Sequence, residues 1–314
     1  MIKFTIAIPC YKNKFLKEAL DSILIQTYNN YEIIILNDKS PYDIDSIVSN
    51  YHDKRIRYYK NEINCGAFNI INNWNKCLEF SEGDYIIMMG DDDKLLPECL
   101  STYKELINHY PNLNIYHGRT MVIDENSTFV RLHEARPEWE NQLSLIWHRL
   151  NGRQQYIGDF LYSTKWLKDA GGYKFYPLAW GSDDMTAYLA AYKHGIANTN
   201  TPVFCYRVNR LSISMNSFID VKLECNKLYS FDVNSIINEY KHNDNIESLY
   251  IQMINKSLYK KEAKKDIHLF ALDFISNGYI KTICSFIKFR KKYNLKWAYI
   301  ILSLIEYFKI ISKK

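Results

Sequence analysis

Three consecutive aspartates, Asp91-Asp92-Asp93, follow directly on the apolar run Tyr85 to Met89 and on Gly90. Two carboxylates held about 4 Å apart repel by about 4 kcal/mol at a surface-like dielectric, so three together call for a counter-charge or full solvation. Such a density of hard oxygen donors suits a divalent cation, Mg²⁺ or Mn²⁺, with diphosphate oxygens completing its shell. The ion would neutralise charge on a departing nucleoside diphosphate. The competing reading is a solvated turn that caps a helix starting near Pro97. A second acidic pair closes the segment Trp180-Gly181-Ser182-Asp183-Asp184. A carboxylate there can take the proton from an acceptor hydroxyl, or the pair can simply be first-turn acids favoured by a helix dipole. Two smaller groups complete the set, Pro9-Cys10-Tyr11-Lys12-Asn13 and Asn37-Asp38. Tyr11 can stack on a base and Asp38 can accept a hydrogen bond from a base-edge N–H, and the alternative for each is ordinary loop polarity.

The elements that must position these groups are legible as short apolar runs alternating with helical patterns. Phe4 to Pro9, Tyr31 to Leu36, Ile56 to Tyr59 and Tyr85 to Met89 read as strands. Helices are expected over Phe15 to Gln26, over Ala67 to Phe80, and from Pro97 onward. Near-continuous apolar strands alternating with helices indicate an α/β fold with a mostly parallel sheet covered on both faces. Ligands of such sheets bind beyond the C-terminal strand ends, where all four polar groups but the Asp183-Asp184 pair fall. Further along, Ile115 to Ile123 and Val203 to Tyr206 look like strands, and Asp183 to His194 looks helical. Glu134 to Arg153 reads as a long loop or helix with three exposed-looking arginines, and a short helix through Trp166 and Leu167 ends at Gly171-Gly172. From about Phe218 helical patterns dominate. The expected division is a catalytic domain over 1–215, made of halves 1–110 and 111–215, followed by a helical region over 216–314.

Composition excludes several classes. The chain has 314 residues, 47% hydrophobic and 24% charged, which is globular rather than disordered. Its 40 basic and 35 acidic residues leave a net charge of +5 that gathers near the C-terminus, so nucleic acid is not an expected partner. Seven cysteines with no CxxC spacing fit reduced thiols and a cytoplasmic location better than zinc or disulfides. No secretory leader and no apolar stretch of roughly 18 residues is seen, so no membrane crossing is expected.

These residues, taken together, resemble the family 2 glycosyltransferases, an inverting group with the GT-A nucleotide-diphospho-sugar transferase fold. The resemblance is carried by Pro9, Tyr11 and Asn13, Gln26-Thr27, Glu32 to Leu36 with Asn37-Asp38, and Asn64 with Gly66. It continues through Asn73-Trp74-Asn75, Cys77-Leu78, Gly83-Asp84-Tyr85, the aspartate cluster with Pro97, Gly171-Gly172-Tyr173 and Asp183-Asp184. It implies that Pro9, Tyr11, Asn13 and Asp38 line a nucleotide pocket that suits uracil, so UDP-sugar is the expected donor. It implies a metal site within Asp91, Asp92 and Asp93, with Asp91 and Asp92 also near the donor; the ligand would be Asp92 or Asp93 where Asp91 instead binds the ribose. Asp184 falls at the catalytic base, with Asp183 in the preceding acidic position. Trp180, Gly181 and Tyr173 would shape the acceptor side, and Tyr206-Arg207 would close over the donor, Arg207 meeting the leaving group. The implied activity is a metal-dependent inverting transfer onto a glycan or lipid-linked acceptor. The tyrosine- and asparagine-rich composition suggests a low-GC bacterial source, and surface polysaccharide synthesis follows by association.

The sequence departs from the family pattern in three places. Asn37-Asp38-Lys39-Ser40 stands where Asp-Asp-Gly-Ser is common, and the first acid of the usual Asp-x-Asp-Asp falls on Gly90. The arginine expected after the Asn–Gly segment is missing, leaving Asn69 nearby as the donor contact. A non-catalytic nucleotide-sugar-binding protein of the same fold is the alternative reading. Finally, Ser285 to Lys314 combines Lys288, Arg290, Lys291, Lys292, Lys309, Lys313 and Lys314 with an apolar run from Trp297 to Ile305. Such a tail can lie on an anionic membrane surface, or pack on the catalytic domain with a basic outer face.

Overall fold

The computed structural model describes residues 1–209, 218–240 and 244–312. Its first strands are β1 (Phe4–Cys10), β2 (Tyr31–Asn37), β3 (Ile56–Lys60) and β4 (Tyr85–Met88), and β1 pairs in parallel with both β2 and β4. Every residue of β2 is buried, which is why its sequence is an unbroken apolar run rather than an alternation. Phe4, Ile6, Ile8 and Cys10 share one core with α1 (Leu16–Leu24), α2 (Ile44–Ser49) and α4 (Cys99–His109). Side chains alternate along a strand, so Ala7 and Ile34 face the other way, where α3 (Ile70–Phe80) packs on β1 and β2.

The helix expected from Ala67 begins as a single tighter turn over Ala67–Asn69 before α3 proper. Gly66 precedes it at φ 73°, a backbone setting that an L side chain rarely adopts. Two-residue β5 (Lys94–Leu95) follows the aspartates, then β6 (Ile115–Ile123), β7 (Phe129–Leu132) and β8 (Trp139–Glu140). Within the stretch read as loop or helix, α5 covers Gln142–Leu150. Two of the three arginines expected to be exposed there are buried, Arg136 at 6% and Arg153 at 5%. Arg136 earns its burial by donating to the Gln154 carbonyl at 3.0 Å.

Next come β9 (Phe160–Ser163), α6 (Thr164–Asp169), α7 (Ser182–Ala190) and β10 (Ile196–Arg207). The ten strands form one mostly parallel sheet with path order β3-β2-β1-β4-β9-β6-β10-β5, while β7 adds to β6 and β8 to β10. Strand β9 runs antiparallel to both β4 and β6. The sequence reading missed it because four residues, FLYS, carry too little periodicity. Strand β10 is longer than the expected Val203 to Tyr206, and its register shifts on either side of Pro202. Helix α7 stops before His194 because Lys193 and Gly195 take left-handed backbone angles.

Two compact units result, one over 1–145, 154–175 and 182–209, the other over 146–153, 176–181 and 210–314. The boundary expected at residue 215 lies outside the described residues, as do Lys313 and Lys314. The second unit holds α8 (Ile219–Asn238), α9 (Asn245–Arg290) and α10 (Trp297–Ile311). Leu223, Phe270, Phe286 and Leu295 form its core. Helix α9 is broken at Gly278, where φ is 73° and ψ 177°. No helix among the described residues is long and apolar enough to cross a membrane.

Candidate active site

The C-terminal ends of β1, β4 and β10 are drawn together by the three aspartates. Asp91 is 7% exposed, and its Oδ2 accepts from the backbone N–H of Tyr11 at 2.8 Å and of Lys12 at 2.7 Å. Burial, followed by the charge of Asp92, pushes the Asp91 carboxyl up to about 6. Asp93 accepts from the Arg207 backbone N–H at 2.9 Å through Oδ1. Burial and then the Asp92 charge hold its carboxyl well above the usual range. Asp92 is the most open of the three, and its Oδ2 meets Lys12 Nζ at 3.4 Å and Asn209 Nδ2 at 2.7 Å.

Gly90 shows where these carboxylates converge. A Cβ placed on it would lie 2.8 Å from Asp93 Oδ2 and 2.9 Å from Asp92 Oδ1. A side chain at position 90 would therefore press on these two oxygens in their present positions. Two convergent carboxylate oxygens in a poorly solvated, electronegative pocket fit a hard divalent cation. No group of three or more ligating side chains occurs among the described residues, so the remaining donors of such an ion must come from a bound diphosphate or water. Asp91 stands apart from the pair, with one oxygen committed to the β1 loop.

Arg207 differs from its expected role. Its side chain is fully buried, with Nε donating to the Asp92 carbonyl at 2.7 Å. Nη1 reaches the Asp124 and Glu125 carbonyls and the Ser127 hydroxyl, Nη2 donates to Glu18 at 3.0 Å, and the guanidinium lies over the Phe15 ring. With its donors taken by protein acceptors, Arg207 clamps the loop beyond β6 to α1 and to the aspartates. Direct contact with a leaving group would require breaking that clamp.

The end of the site expected to take the nucleotide is organised around Asp38. Its Oδ1 accepts from Asn61 Nδ2 at 2.8 Å and from the Cys65 N–H at 2.9 Å, and Oδ2 accepts from Asn64 Nδ2 at 3.0 Å. Asp38 thus organises the loop after β3, and Oδ2 keeps lone-pair capacity for another donor. Tyr11 is 42% exposed with its ring edge-on to Tyr42, leaving a face for stacking. Pro9 sits in β1 opposite Leu36, and the Asn13 carbonyl accepts from the Leu16 N–H at the start of α1. Asn69 donates to the Cys65 carbonyl at 3.1 Å, which ties it to the Asp38 loop.

Asp183 and Asp184 occupy the first turn of α7. Asp184 is 2% exposed and its Oδ1 accepts from Gln155 Nε2 at 2.9 Å. Tyr206 relates this pair to the triplet: burial first, then Asp93, Tyr156, Asp92 and Asp183, hold its hydroxyl above the usual phenol range. Both acidic clusters therefore act on one side chain. Tyr206 is stacked on Tyr156 with centroids 3.7 Å apart. Sequence reasoning missed Gln155 and Tyr156, whose loop carries no periodicity, and reached Tyr206 only through the family resemblance, paired with Arg207.

The acceptor-side assignments fare differently. Tyr173 is 2% exposed, its ring packed edge-on to Trp74 and Tyr162 and its N–H donating to Asn75 Oδ1 at 2.9 Å. It is a core residue rather than a surface that an acceptor touches, because an aromatic ring of that size is most stable out of water. Trp180 and Gly181 belong to the helical unit. Trp180 Nε1 donates to Asn226 at 2.9 Å, with Lys222 Nζ over its ring, and Gly181 at φ 93° faces the Tyr229 ring. A separate open cleft of about 530 Å³ lies between Glu82 to Tyr85 and Ser163 to Asp169. It opens where β4 begins, at the opposite end of that strand from the aspartates, and takes no part in the site.

Residues 5–169 match the family model described as Glycosyl transferase family 2. An uncharacterized glycosyltransferase of Rickettsia bellii is 33% identical over 138 residues, 43% of this chain and 19% of the relative. One from Haemophilus influenzae is 28% identical over 151 residues, 47% of this chain and 50% of the relative. The matched region thus spans half or less of the length of these curated relatives. Among solved structures, Staphylococcus aureus TarS 1-349 in complex with UDP-GlcNAc has a TM-score of 0.65 at 17% identity, covering 96% of this chain and 89% of that one. The mannosyltransferase PcManGT from Pyrobaculum calidifontis, in complex with GDP-Man and Mn2+, has a TM-score of 0.55 at 14% identity, covering 97% and 86%. At these identities what is shared is the fold, which is the GT-A architecture.

Proposed function

Because the chain belongs to glycosyl transferase family 2, we propose that it moves a sugar from a nucleoside-diphosphate donor, with UDP as carrier, onto a glycan hydroxyl by a single inverting displacement. The observation that carries this reading is the pair of carboxylate oxygens converging over Gly90, at strand ends that also present Tyr11 and Asp38. Tyr11 supplies the stacking face for uracil, and Asp38 Oδ2 accepts its N–H. Asp92 and Asp93 would hold a divalent ion, Mn²⁺ or Mg²⁺, which would supply charge neutralisation for the diphosphate.

Asp91 holds the Tyr11–Lys12 backbone in place so that the base platform and the acidic pair keep one geometry. Asp184 takes the proton of the attacking acceptor hydroxyl, and the Gln155 amide fixes its carboxylate. Asp183 contributes negative charge at the same helix start. Arg207 acts by positioning, through its clamp on the Glu125 to Ser127 loop. The family assignment and the TarS and PcManGT likenesses support a nucleotide-sugar donor, since both of those structures contain one.

The test is a calorimetric titration of UDP, with and without Mn²⁺, on the wild type and on Asp92→Ala. Metal-dependent UDP binding that falls at least tenfold in the variant is the expected result. UDP binding that is absent, or indifferent to both metal and Asp92, would overturn the reading.

A further inference from the structure

We infer that the C-terminal helical hairpin is a membrane-surface docking face, recognising anionic lipid headgroups. A helix packed on one side turns its apolar stripe inward and shows polar residues to water. Helix α10 departs from this rule. Its inner face is met by Tyr299 and Ser303, both buried, and the Ser303 hydroxyl donates to the Ile267 and Tyr299 carbonyls. Its outer face carries Trp297, Ile301, Ile305 and Phe308, exposed at 56%, 61%, 48% and 60%. Their spacing of four, four and three residues sets them in one stripe along the helix. The basic outer face that the sequence also allowed is not what α10 presents.

The segment of α9 beyond Gly278 extends the same pattern. Phe286 meets Trp297 and Tyr279 meets Tyr307, so the two helices lie side by side and antiparallel. On this second helix Ile280, Ile283 and Ile287 are exposed, Ile280 at 80%. Charge selects the partner. From Phe274 to the end of the chain there are nine basic residues and one acid, Glu306. The Glu306 carboxylate is engaged by His268 Nδ1 at 2.6 Å. Lys292 is met by Asp220 at 3.1 Å on α8. The remaining excess of positive charge beside exposed apolar rows fits a bilayer rich in anionic lipid, where the rows enter the acyl boundary and the lysines meet headgroup phosphates. Helix α10 has 15 residues, about 22 Å at the α-helical rise, which is shorter than a hydrocarbon core of about 30 Å. It therefore lies in the surface and does not span it.

The experiment is co-sedimentation of the full chain with phosphatidylglycerol-containing and pure phosphatidylcholine vesicles, beside the double variants Ile301→Glu/Phe308→Glu and Lys288→Glu/Lys291→Glu. Light scattering and a thermal melt of each protein report association and folding. Binding to the anionic vesicles only, weakened at least tenfold in both variants while the melting temperature is kept, is the expected result. Equal binding to both vesicle types, no binding to either, or a salt-resistant dimer abolished by the apolar variant would overturn the inference, the last result assigning the face to a second copy. None of these outcomes depends on whether the chain transfers a sugar.

Discussion

Replacing Asp91 by Asn and by Ala separates a tie from a ligand. In the wild type a single carboxylate oxygen accepts two backbone N–H groups, from Tyr11 at 2.8 Å and Lys12 at 2.7 Å. An amide oxygen can accept the same two bonds, whereas alanine leaves both donors without a partner at about 1–3 kcal/mol each. The asparagine variant should therefore be more stable than the alanine variant by about 2–6 kcal/mol. It should also match or exceed the wild type in chelator at neutral pH, because it removes a carboxylate whose ionisation is already resisted up to about pH 6. Urea denaturation of the three proteins in chelator reads the first quantity, and Mn²⁺-dependent UDP titration reads the second role. Asn is expected to keep the wild-type UDP affinity within about threefold, and Ala to weaken it through a loosened Tyr11. Asn as damaging to metal-dependent UDP binding as Asp92→Ala would refute the tie and make Asp91 a ligand. Equal stability of Asn and Ala would refute the worth assigned to the two hydrogen bonds.

Asp184→Asn should bind UDP normally and lose at least a hundredfold in turnover, measured as donor consumption with acceptor present, since removing a general base typically costs 10²–10⁴; near-full turnover would exclude Asp184 as the base. Arg207→Ala should lower stability by about 2–4 kcal/mol in urea, because it leaves the Asp92, Asp124 and Glu125 carbonyls without the donor that the buried guanidinium now supplies. Burial pushes the Asp159 carboxyl up to about 7. The folded chain therefore holds that proton while the unfolded chain releases it, and the stability of the fold falls as pH rises from about 4 to about 7, by roughly 4 kcal/mol. Asp159→Asn should flatten the pH dependence of the urea midpoint across that window, and an unchanged slope would refute the assignment.

The first half of the fold was legible because its strands are buried on both faces and so stand out as apolar runs, as Tyr31 to Leu36 does. Several residues that carried the family resemblance turn out to join elements. Gln26 bridges the Leu96 carbonyl and the Leu100 N–H, tying α1 to the start of α4. Asn75 receives the Tyr173 N–H, and Asp84 accepts from the Lys3 N–H. Their types and order signalled a family, but only coordinates separate the residues that brace the site from those that line it. Tyr173 and Arg207 were placed on ligands by that order and are in fact buried supports. The second half was opaque for a different reason. Strands of two to four residues such as β5, β8 and β9 have no period to read, and the contribution of 146–153 and 176–181 to the helical unit is a long-range event with no local signature.

The position of β9 bears on how the molecule comes to be folded. Strand β4 gains its second neighbour from residues 160–163, some seventy positions later in the chain. A ribosome that has released only residues 1–110 has therefore made a half-sheet with the β4 edge unpaired, and such an edge invites pairing with another chain. Long-range closure of this kind is slow compared with local helix formation. Residues 1–110 are thus not a unit of folding by themselves. Excised at residue 110 they should aggregate, and only chains extended past β10 present a sheet whose interior strands are all paired.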